Sequence, residues 1–112
     1  MTREKANEAL VHAMRKRGAT AIAKATQLLV AAHRSRTPAS TDGIELHKES
    51  EAYRVQDAVF AELWPGKRPA AWKAGGPSDK VEPTAAPIPP QHLLRRPASV
   101  AGAKMQMIGV EG

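Results

Sequence analysis

The chain has 112 residues, room for one small domain, and only 4% of them are aromatic, so any core it builds is modest. It has no cysteine, which excludes a disulfide framework, a thiolate metal site and a cysteine nucleophile. The net charge of +6 raises nucleic acid as a partner, but Arg15-Lys16-Arg17, Lys67-Arg68 and Arg95-Arg96 are far apart in sequence, and one Tyr, one Phe and two Trp offer little to stack on. A solvated basic surface is therefore the expectation.

The first helix is expected over residues 3–17. Ala6, Ala9, Leu10, Ala13 and Met14 recur at three-and-four spacing and make an apolar stripe. Thr2 is placed to cap its start, and Arg15, Lys16 and Arg17 suit the negative end of the helix dipole. Gly18 is placed for a left-handed stop. A second helix is expected over 20–34, with Ile22, Ala25, Leu28, Leu29 and Ala32 on one face, ended by Thr37-Pro38. Thr41-Asp42-Gly43 reads as a turn. A third helix is expected from a Ser50 cap to Trp64, with Ala52, Val55, Val59 and Leu63 on one face and Tyr53, Phe60 and Trp64 on a neighbouring one. Pro65-Gly66 ends it. For Tyr53, Gln56 and Trp64 the favoured role is helix packing.

The composition then changes. Residues 1–64 hold one proline and two glycines, whereas residues 65–112 hold eight and six. Proline removes a backbone donor and clashes with the preceding helical turn, so the second region is not helical. Residues 70–74 read as a short strand followed by a Gly75-Gly76-Pro77-Ser78 turn. Residues 82–98 read as extended loop, and residues 104–110 as a strand with Met105 and Met107 on one side. The start of the chain lacks the apolar stretch of a secretory signal, and no apolar run reaches the ~18–20 residues of a membrane span. The expectation is a cytoplasmic protein without a membrane partner.

Self-contained chemistry is scarce. His12, His33, His47 and His92 have no second ligand at metal-binding spacing, and neither a phosphate-cradling glycine loop nor a nucleophile elbow is present. Two features remain. Lys73, between Trp72 and small residues, is a candidate for partial desolvation and so for proton transfer or anion binding, although a strand lysine reaching into water is the simpler account. Glu111 is a carboxylate at the end of an apolar strand and means nothing alone.

In order, these pieces resemble the 2-keto-4-pentenoate hydratase branch of the fumarylacetoacetate hydrolase superfamily. The resemblance runs over roughly residues 22–112. Residues 25–38, from Ala25-Thr26-Gln27-Leu28-Leu29 through His33-Arg34-Ser35-Arg36-Thr37-Pro38, are similar to the family's leading helix and basic turn. Ala52-Tyr53-Arg54-Val55-Gln56 looks like its Ala-Tyr-x-x-Gln helix, Trp72-Lys73-Ala74-Gly75 like its aromatic-Lys-x-Gly strand, and Gly109-Val110-Glu111-Gly112 like the opening of its Val-Glu-x-Glu strand.

The resemblance implies an α+β protein. A small N-terminal helical region of about three helices is followed by an irregular, strand-poor segment that leads into a mixed β-roll missing from this chain. It implies a hydro-lyase that adds water to a 2-hydroxy-2,4-dienoate, a 2-oxo acid formed in aromatic-compound catabolism, using magnesium or manganese as cofactor and acting as a homo-oligomer in full-length form. Lys73 takes the place of the family's strand lysine, as a catalytic residue, and Glu111 that of its first metal-ligating glutamate. The second glutamate corresponds to position 113, and the family's aspartate after the lysine strand has no counterpart, since residues 84–103 contain no Asp or Glu. Gly75-Gly76-Pro77-Ser78 departs from the family's Gly-Leu-Thr-Ser style. The expectation is an N-terminal fragment that is inactive alone and binds no metal itself. Two other readings stand beside it: a related 2-oxo acid decarboxylase or acylpyruvate-type hydrolase, and a small basic helical partner-binding module.

Overall fold

The computed structural model describes residues 2–99 and divides into two compact units, one through Val59 and one from Phe60. Its elements are a long helix α1 (Arg3–Ser35), a helix α2 (Glu49–Leu63) and two strands, β1 (Ala71–Gly75) and β2 (Thr84–Ile88), with single 3-10 turns at Thr41–Gly43 and Pro90–His92. This is loosely α+β. No helix among the described residues is long and apolar enough to cross a membrane.

The first unit corrects the expected three helices to two. Thr2 caps α1 as expected, its side chain accepting from the Lys5 amide at 3.3 Å. Gly18 does not stop the helix, which runs through it for 33 residues in all. Glycine costs a helix interior only about 1 kcal/mol relative to alanine, and its neighbours Arg17, Ala19 and Ala21 favour the helix. The Thr20 and Thr26 hydroxyls donate to the carbonyls of Lys16 and Ile22 at 2.9 and 2.7 Å, which keeps both threonines compatible with a helix interior. The left-handed stop comes instead at Arg36, with φ 56°, whose amide donates to the Ala32 carbonyl. Thr37 donates to that same carbonyl at 3.2 Å, and Pro38 follows.

The Thr41–Gly43 turn is capped by Ser40, whose hydroxyl accepts from the Asp42 amide at 3.3 Å. It lies against α1: a Cβ placed on Gly43 would sit 3.8 Å from Lys24 and 3.9 Å from Leu28. α2 begins one residue before the expected Ser50 cap. The Lys48 carbonyl accepts from Glu51 and Ala52 at 3.0 and 3.3 Å, and Glu49 and Glu51 place negative charge on the first turn. The buried apolar residues of this unit are Ala25 and Val30 of α1 and Val55 and Val59 of α2.

In the second unit α2 ends as expected. Trp64 donates to the Phe60 carbonyl at 2.9 Å and Gly66 takes φ 74°. β1 and β2 pair antiparallel, with Ala71 opposite Ile88, Trp72 opposite Pro87, Lys73 opposite Ala86 and Gly75 opposite Thr84. β1 matches the expected strand to within one residue. β2 corrects the expected loop over 82–98, because four of the five prolines there, Pro83, Pro89, Pro90 and Pro97, lie outside the strand, and Pro87 lies within it. In a two-stranded sheet each strand is an edge, and an edge strand tolerates a residue with no amide to donate. The expected strand over 104–110 lies outside the described residues.

Candidate functional site

Lys73 occupies the middle of β1, where alternation sends successive side chains to opposite faces of the hairpin. Trp72 and Pro87 therefore share one face, and Lys73 and Ala86 the other. The Trp72 ring, 59% exposed, lies on the opposite face from the lysine, and Lys73 is itself exposed, the simpler of the two accounts the sequence offered. Its face is completed by Ala71, Gly75, Thr84 and Ile88, four of these five opposing and flanking positions being small or carrying a short hydroxyl. A lysine on such a surface presents its ammonium to solvent. It can receive a carboxylate as a point charge, without the fixed fork an arginine would offer.

Tyr53 and Gln56 lie three residues apart on α2, so they share a face, and both are half-buried. They belong to the first unit and Lys73 to the second. Glu111 lies outside the described residues. Among the described residues no three His, Cys, Asp or Glu side chains gather in a way that could hold a metal ion. His12, His33, His47 and His92 are all exposed.

One cluster was legible in the sequence only in part. Phe60 and Trp64, four apart on one helical face, bring their ring centroids to 5.1 Å at 58°. His92, from the 3-10 turn after β2, meets Trp64 edge-on at 5.4 Å and 81°. The i, i+4 spacing announces the first pair. Nothing local to His92 announces the second, because it depends on the return of the chain through β2. With Phe60 buried, the cluster anchors the hairpin region and has the composition of a packing element.

Comparison with protein-family models, with curated proteins and with solved structures returned no match.

Proposed function

We propose that this chain is the N-terminal part of a 2-keto-4-pentenoate hydratase-like enzyme, which adds water to a 2-hydroxy-2,4-dienoate. The observation that carries the reading is an order. An Ala-Tyr-x-x-Gln segment falls on a helix, and an aromatic-Lys-x-Gly segment follows on a strand with its lysine exposed on a face of small residues. Each segment alone is common, and the two in that order and separation are less so.

In this reading Lys73 binds the substrate carboxylate or moves a proton at the conjugated system. Tyr53 and Gln56 set the packing of the helix that precedes it. The described residues do not fit a divalent cation by themselves, since a hard cation needs about six oxygen ligands in fixed geometry. In the proposal that cation, magnesium or manganese, belongs with Glu111 and the acidic residues the family carries beyond it. A cytoplasmic setting and a homo-oligomeric full-length form accompany the proposal.

The test is loss of dienoate absorbance when 2-hydroxypenta-2,4-dienoate is mixed with the product of the whole gene and magnesium or manganese. The proposal expects turnover, and about a 100-fold or larger loss of kcat/KM in Lys73→Ala, the scale of a lost proton-transfer group. Residues 1–112 alone should give no turnover. Absence of turnover by the whole gene product with either metal, or a Lys73→Ala variant as active as the parent, would contradict it.

A further inference from the structure

The N-terminal half of α1, residues 3–17, is exposed along its whole length. It nevertheless carries three large apolar side chains in solvent: Leu10 at 57%, Val11 at 46% and Met14 at 54% exposure. Helical spacing sorts this segment into two adjoining rows. Asn7, Leu10 and Met14 form one, and Glu4, Glu8, Val11 and Arg15 form the next. The second row has a direction, with acid at its start, an apolar residue in the middle and base at its end. Lys5 and Lys16 lie outside both rows, opposite the first, with Lys5 three residues from Glu8 at the outer edge of the second.

We propose that this face pairs with the same face of a second copy of the chain, the two helices running antiparallel. With Leu10 and Val11 at the crossing point, Met14 of one copy lies over Asn7 of the other. Arg15 of each comes beside Glu4 and Glu8 of its mate, twice by symmetry. A parallel pair would instead set Glu4 and Glu8 against their own copies and Arg15 against Arg15, so the charge order selects the antiparallel arrangement. A self-complementary patch of this kind is what a two-fold interface requires. Arg3 and Arg17 flank the ends of the patch on long stems that reach into water. About four turns of helix bury less than the ~1,200 Å² of a stable complex, so the pair is transient and concentration-dependent.

Sedimentation equilibrium of the 112-residue chain over rising concentration, at low and high salt, tests this. The parent should associate as concentration rises, and less so at high salt. Arg15→Glu leaves acid at both ends of the row. Glu4→Arg combined with Glu8→Arg leaves base at both ends. Each variant should stay monomeric while keeping the parent's far-UV circular dichroism, and an equimolar mixture of the two should associate again. Recovery on mixing separates lost complementarity from lost folding. A parent that is monomeric at every concentration overturns the proposal and points to a partner of different sequence for this face. Variants that dimerise as well as the parent overturn it too.

Discussion

The two halves of α1 are one unbroken helix, yet they meet different surroundings. Residues 3–17 are exposed at every position, whereas residues 18–32 bury Ala25 and Val30 and half-bury Ile22, Leu28 and Leu29. Both halves have apolar residues at helical spacing, and both are rich in good helix formers. Periodicity therefore fixed the element in each half but did not determine whether the chain itself covers the stripe. What separates them is what lies against them: the Thr41–Gly43 turn packs on the second half at Lys24 and Leu28, and Glu51 of α2 lies near Gly18.

Substitutions on the two halves should therefore differ most. Val30→Asp puts a charge at a position 5% exposed and should cost about 3 kcal/mol or more, enough to abolish a cooperative thermal transition in a domain of ordinary stability. Circular dichroism melting reads this directly. Gly18→Ala, at the junction of the halves, should stabilise the helix by about 1 kcal/mol. The added methyl would sit 3.6 Å from the Glu51 carboxylate, ordinary contact distance, so nothing opposes the gain in helix propensity. An unchanged or lowered midpoint would mean the helix breaks at Gly18 in solution. Arg36→Gly should add up to about 1 kcal/mol by relieving a left-handed backbone in a residue with a Cβ, provided α1 ends where the structure ends it. The smallest effect is expected at Leu10→Asp, which should leave monomer stability within about 0.5 kcal/mol while abolishing self-association.

The same contrast explains which parts of the fold were legible. α2 and β1 were readable to within a residue because their signals are local: apolar spacing with acidic residues at the start, and a short run bounded by proline and glycine. The Thr2 cap was readable for the same reason. The join at Gly18 was not, because a glycine reads the same whether it stops a helix or is tolerated inside one, and the choice is worth only about 1 kcal/mol. β2 was hidden by Pro87, whose missing amide matters only if the strand has a neighbour on both sides. At the candidate site, the position of Lys73 on a strand was legible. Its exposure was legible too, as the simpler account of a strand lysine, and strand alternation turns Trp72 to the opposite face. The contact of His92 with Trp64 depends on that unread strand.

The proposed hydratase-like family is best tested on the coding DNA beyond codon 112. The account predicts an open frame with glutamate at codon 113, completing Val-Glu-x-Glu from Val110 and Glu111, and further acidic residues downstream. A frame that continues without that glutamate and without later carboxylates would contradict it, as would a stop codon with no related frame beyond.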